Sequence, residues 1–174
     1  MYTIYMRLLK EIKDTDFGLK HKKNLEYTVR KAARAIVLDK EGKVAILHAT
    51  KHDYHKIAGG GIEEGENIKV ALAREIYEET GAKAKVGEEV GLIIEYRDQH
   101  KRIQLSYCYL AKVTTHGKPH FTKSEKDEGF VLEWLTIDEA LKKFKKDNLS
   151  HYGAKFMSTR DASFLKEAKR MLRK

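Results

Sequence analysis

The stretch GGGIEEGENIKVALAREIYEETGA, residues 59–82, decides how the rest of the chain is read. Three consecutive glycines, Gly59 to Gly61, allow backbone geometries closed to other residues and a close approach to a ligand or ion, so they read as a loop. Asn67 supplies an N-cap and Gly81 a left-handed C-cap, which makes residues 67–80 a helix. On a wheel of about 100° per residue, Ile68, Ala71, Leu72 and Ile76 define its buried face. Glu75 and Glu79 fall inside that face and Glu78 at its edge, while Val70, Ala73, Arg74 and Tyr77 lie opposite. Ionised carboxylates are costly to bury without partners, and acids three and four residues apart repel one another. The pattern therefore asks for a cation among them. Hard oxygen ligands clustered this way suit Mg²⁺ or Mn²⁺, ions that keep several waters and bridge to substrate phosphates. Arg74, four residues before Glu78, is placed to orient it by a bidentate pair.

Composition agrees with a catalytic or binding domain of ordinary size. The 174 residues are expected to form one domain, in which residues 1–28 add a strand or short helix at one edge and residues 147–174 form a basic C-terminal helix. Apolar residues make up 41% and charged residues 35%, with one proline, which excludes collagen, coiled-coil and disordered classes. No apolar run approaches the roughly 18 residues of a membrane span. MYTIYMRLLKEIKD does not have the pattern of a signal peptide, and a lone Cys108 does not suggest a disulfide framework, so the expected compartment is the cytoplasm. The net charge of +9 is unevenly placed: residues 142–174 hold eleven Lys and Arg against Asp147, Asp161 and Glu167. Such a segment reads as the solvated face of helices or as a phosphate or RNA patch.

Outward from the central stretch, residues 29–38 and 43–48 read as a hairpin around Asp39-Lys40-Glu41-Gly42. Residues 84–96 and 102–113 are further strands, the second alternating Ile103, Leu105, Tyr107 and Tyr109 against Arg102, Gln104, Ser106 and Cys108. Phe130 to Leu135 is a short strand, and helices are predicted near 137–146 and 161–173. Strands and helices mix without regular alternation, which favours an α/β fold with a mixed sheet between helices.

Residues 60–82 resemble the Nudix box: a glycine, five residues, a glutamate, seven residues, then Arg-Glu-aliphatic-any-Glu-Glu-any-Gly-aliphatic. Here those positions are Gly60, Glu66, Arg74, Glu75, Ile76, Glu78, Glu79, Gly81 and Ala82. Ala82 is small for the last aliphatic position, and Ala58 stands where many relatives have proline. The resemblance implies a Nudix-type α/β/α sandwich and a divalent-metal-dependent hydrolase of nucleoside diphosphate-linked substrates, active on a small-molecule nucleotide. It makes Glu75, Glu78 and Glu79 ligands of Mg²⁺ or Mn²⁺, with the Gly59 carbonyl completing the shell, Glu66 bracing the loop and Arg74 the helix acids. Glu125 or Glu128, in the SEKDEG segment, is the expected further acid, as metal ligand or general base.

Subclass cues leave the substrate open. Arg97 and Asp98 stand where ADP-ribose pyrophosphatases tend to carry proline, and Tyr96 comes early for a dinucleoside polyphosphate hydrolase. The resemblance then favours a nucleoside triphosphate pyrophosphohydrolase, oxidised nucleotides included, over an ADP-ribose or nucleoside diphosphate sugar pyrophosphatase. A reading from another class is a non-catalytic nucleotide-sensing or RNA-binding module using the basic C-terminal segment. Tyr96, Tyr107, Tyr109, Phe130 and Trp134 read as core or as base-stacking groups. His48, His52 and His55, irregularly spaced, read as surface or substrate-contact residues rather than a transition-metal site.

Overall fold

The computed structural model describes residues 6–173. Seven strands form one mixed sheet: β1 (Leu8–Lys13), β2 (Thr28–Leu38), β3 (Val44–Ala49), β4 (Tyr54–Gly61), β5 (Lys83–Arg97), β6 (Arg102–Thr115) and β7 (Phe130–Leu135). Their order is β1-β5-β6-β2-β4-β3-β7, with β1–β5 and β2–β6 parallel and the other neighbours antiparallel. Helices α1 (Ile68–Thr80), α2 (Lys123–Asp127), α3 (Ile137–Phe144) and α4 (Tyr152–Leu172) complete the chain. No helix among the described residues is long and apolar enough to cross a membrane. Residues 1–5, part of the expected N-terminal edge, lie outside the described residues.

The α/β/α expectation is met because β2 is apolar on both faces. Ala33, Ala35 and Val37 point toward α1, and Ile36 and Leu38 toward α3 and α4. The two sides differ in texture. Beneath α1 lies a floor of small residues, with Ala33, Ala35, Ala45, Ala58 and Ala111 packed against Ala71, Leu72 and Ile76. Small side chains let the helix axis approach the sheet closely, which brings the acids of α1 within hydrogen-bonding reach of the β4 backbone. The opposite face is filled by large groups, including Ile46, Ile57, Ile93, Phe156, Phe164 and Leu165.

Four readings are corrected. Gly59–Gly61 is not a loop but the end of β4, paired with Ala32, Ala33 and Arg34 of β2; without β-carbons these residues carry no strand signal in sequence. The expected hairpin touches only at Leu38 and Val44, because β4 inserts between β2 and β3. Helix α4 begins at Tyr152 rather than near residue 161, its first half hidden from an apolar-periodicity reading by the buried polar residues Ser158, Arg160 and Asp161. The alternation of β6 also runs deeper on its polar side: Gln104, Ser106 and Cys108 are buried while Ile103, Leu105, Tyr107 and Tyr109 are half-buried. The polar face is buried because Glu95 accepts from Gln104 and from Arg160 of α4.

Candidate active site

Helix α1 starts at Asn67, whose side chain accepts from the Val70 N–H at 3.0 Å, and stops at Gly81 in the left-handed conformation. Between these caps the wheel geometry holds: Glu75 and Glu79 are buried and Glu78 is half-buried. Glu79 is the innermost. Its Oε2 accepts the Gly59 N–H at 2.6 Å and its Oε1 accepts Lys56 Nζ at 2.5 Å. Burial nevertheless dominates and pushes its carboxyl up to about 7, with Glu75 adding repulsion against the help of Lys56.

Gly59 and Gly60 are required here for different reasons. At Gly59 φ is +134°, and an added Cβ would strike the Ala33 carbonyl. At Gly60 a Cβ would strike the Glu75 carboxylate, so the missing side chain is the space that Glu75 occupies. The Gly59 carbonyl accepts from the Arg34 guanidinium and, at 3.3 Å, from Lys56 Nζ. Burial lowers the Arg34 guanidinium to about 10, and its Nε has no partner among the described residues.

Arg74 holds the segment after the glycines rather than Glu78. Its fork pairs with Glu66, Nε to Oε1 and Nη2 to Oε2 both at 2.8 Å, and Nη2 also donates to the Gly61 carbonyl at 3.0 Å. Nη1 donates to Glu75 at 2.7 Å and stands 3.6 Å from Glu78, so the expected bidentate pair is made with Glu66 instead. Arg74 accordingly holds the Glu66 carboxyl down at about 2, while burial and Glu75 raise that of Glu78.

The further acids separate. Glu125 closes a capping box with Thr122, its Oε2 accepting Thr122 N at 2.7 Å and Oγ1 at 3.0 Å, and it is near enough to Glu78 to repel its charge. Glu128 instead faces His52 at 3.3 Å and Lys51 at 3.8 Å. Gly81 abuts Lys118 at the foot of α1. Of the aromatic candidates, Phe130 lies beside Lys56, with Nζ 5.2 Å from the ring centre. Trp134 packs on the apolar layer under α1. Tyr107 and Tyr109 line a cavity of about 780 Å³ beside Glu66, and Tyr96 donates to Glu11 at 2.8 Å. His55 is not on the surface: it is buried, with Nδ1 2.6 Å from Asp147 and its ring stacked on His48.

The site contains two residues that sequence reasoning missed, Lys56 and Arg34. Arg34 fell inside the strand expected at 29–38 and Lys56 in no expected element, and nothing local marked either as facing the acids. Hard oxygen donors from Glu79 and Gly59 converge on cations, and such donors fit a Mg²⁺- or Mn²⁺-like ion. Among the described residues no group of three or more acids, histidines or cysteines is already drawn together in ligating range. Glu78 is half-buried, its carbonyl accepts the His120 N–H at 2.6 Å, and its carboxylate makes no hydrogen bond among the described residues.

Comparison with known proteins agrees with this geometry. The NUDIX domain profile matches residues 28–156, and the chain therefore belongs to the NUDIX family. It is 35% identical over 100 residues to the 8-oxo-(d)GTP phosphatase of Mycolicibacterium smegmatis, covering 57% of this chain and 29% of that protein. It is 31% identical over 105 residues to diphosphoinositol polyphosphate phosphohydrolase 2 of Rattus norvegicus, covering 60% and 55% respectively. The chain thus spans from under a third to about half the length of these relatives. Among solved structures, the MutT protein of Methanosarcina mazei Go1 superimposes with a TM-score of 0.60 at 16% identity, over 87% of this chain and 100% of that one. At such identity the likeness establishes the fold.

Proposed function

We propose that this chain is a divalent-metal-dependent hydrolase of nucleoside diphosphate-linked substrates, specifically a nucleoside triphosphate pyrophosphohydrolase that accepts oxidised nucleotides and releases monophosphate and pyrophosphate. The observation that carries the proposal is the gathering of Glu75 and Glu79 on α1 against the glycine end of β4, where Lys56 and Arg74 balance their charge and the Glu79 and Gly59 oxygens lie together. The 35% identity to an 8-oxo-(d)GTP phosphatase supports the substrate class.

In this reading Glu75, Glu78, Glu79 and the Gly59 carbonyl hold the ion, which when bound neutralises phosphate oxygens and acidifies water. The chain's own residues set the geometry. Arg34 fixes the Gly59 carbonyl and Arg74 ties Glu66, Gly61 and Glu75 into one unit, so the oxygens are positioned before substrate arrives. Lys56, whose Nζ reaches both the Glu79 carboxylate and the Gly59 carbonyl, would be placed to meet a phosphate oxygen beside them. Glu125, whose Oε1 has no hydrogen-bond partner among the described residues, is the acid that takes the proton of the attacking water.

The test is analysis of all hydrolysis products, namely pyrophosphate, orthophosphate and nucleoside monophosphate, from a panel of oxidised and ordinary nucleoside triphosphates, ADP-ribose and a diphosphoinositol polyphosphate, with Mg²⁺ or Mn²⁺, for the wild type and Glu79→Gln. Turnover on oxidised triphosphates that falls at least about 100-fold in the variant is expected, since even indirect supports of metal ligands contribute 10- to 100-fold. Equal turnover in the variant, or preference for ADP-ribose or the diphosphoinositol compound, overturns the mechanism or the substrate assignment respectively.

A further inference from the structure

On the opposite face of the sheet from α1, helices α3 and α4 enclose a groove of about 750 Å³. Lys10 reaches it from β1, Lys142 from α3, Lys145 from the residue that ends α3, and Lys166 from α4. All four are exposed, and none has an acidic partner among the described residues. Their neighbours are differently placed: Lys143 pairs with Glu133, Lys169 with Asp138, and Arg7 and Arg170 both with Glu167. Asp138 also lines the groove but is paired there with Lys169, while the other acids of this surface are spent outside it, so four ammonium groups from β1, the C-terminal end of α3 and α4 line one concavity without an acidic partner. Lysines that merely solvate a helix spread apart or pair, because like charges repel. The floor adds Leu141 and Leu149 but no exposed aromatic ring or bidentate guanidinium, so the groove has charge to offer and nothing with which to read a base.

We propose that the groove between α3 and α4 binds the phosphodiester backbone of single-stranded nucleic acid, without sequence preference, at a site separate from the acids of α1. The probe is a fluorescein-labelled single-stranded RNA oligonucleotide, titrated with the full chain in EDTA so that hydrolysis plays no part. Four phosphate contacts to a single strand give a slope of log affinity against log salt near −3, or roughly a 50-fold loss between about 50 and 200 mM salt. K142Q/K145Q/K166Q removes three contacts and is expected to flatten the dependence to a few-fold, while K142E/K145E/K166E abolishes binding. K83E/K85E/K112E places an equal charge change on exposed β5 and β6 residues and is expected to keep the wild-type slope. Circular dichroism confirms that each variant is folded, and the glutamine set serves if the glutamate set is not.

Equal loss in the groove and control variants shows attraction to net charge alone and overturns the proposal. It is likewise overturned by no RNA binding at low salt, or by binding of inorganic polyphosphate or anionic vesicles in preference to RNA. Because metal and turnover are absent from the assay, failure here leaves the hydrolase reading intact, and failure of that reading leaves this one intact.

Discussion

Lys56 Nζ lies 2.5 Å from Oε1 of Glu79, so the innermost acid of the helix is neutralised by an ammonium group from the adjacent strand. Both groups are buried. Under the proposed function, Lys56 therefore holds an oxygen for which a dication would compete. Replacing Lys56 by Met removes that competitor. A hydrogen bond to a charged group contributes about 1.5–3 kcal/mol, so Mn²⁺ binding followed by electron paramagnetic resonance is expected to tighten by roughly 10- to 100-fold. Unchanged or weaker binding shows that ammonium and metal do not compete.

Glu79 makes stability depend on pH in an unusual direction. Its carboxyl titrates near 4.5 when unfolded and at about 7 in the fold, mainly because burial disfavours the charge. Between those values the native state binds the extra proton, so metal-free stability falls as pH rises from about 4.5 to 7, by about 3 kcal/mol in all. Thermal melts in EDTA are expected to show this decline, Glu79→Gln to remove it, and saturating Mg²⁺ to reverse it. A wild type that gains stability across the window contradicts the assignment.

Gly60 is where the strand makes room for the Glu75 carboxylate. Gly60→Ala puts a methyl group onto the Glu75 carboxylate, displacing it from Arg74. Turnover is expected to drop at least about tenfold, with a stability loss of about 1–3 kcal/mol typical of overpacking. A kinetic comparison with Gly65→Ala, at a glycine with nothing within 4 Å of an added Cβ, separates the close approach from ordinary glycine effects. Identical kinetics in the two variants count against the role given to Gly60.

The network beneath β4 is structural. Arg160 is fully buried and donates to Glu95 at 3.2 Å and to Asp161 at 2.6 Å, while Asp161 also accepts the Ile57 N–H at 3.0 Å. Removing one partner of such a set leaves buried charge uncompensated, so Arg160→Met is expected to cost about 3–5 kcal/mol in urea unfolding. A loss under about 1 kcal/mol shows that the remaining arginines suffice. Despite burial, Arg160 and Arg97 hold the Glu95 carboxyl down at about 2. Its contribution is present above about pH 4.5 and fades as pH falls toward 2.

The spacing of residues 59–82 alone determined that Glu75 and Glu79 point inward and that Asn67 and Gly81 bound the helix, because helical periodicity and capping act over a few residues. The same local rules located the long strands β5 and β6, whose apolar and β-branched runs are unambiguous. They failed at Gly59–Gly61, where pairing with β2 makes a strand out of residues with no strand preference, and in the first half of α4, where Arg160 and Asp161 are buried against partners from β5 and β4 and Ser158 against Asp147. Lys56 facing Glu79, Arg34 facing Gly59, and the meeting of β1, α3 and α4 lysines in one groove each join residues far apart in the chain. Only tertiary structure decided these, because a buried charge or a concave surface is a property of which segments the sheet order brings together.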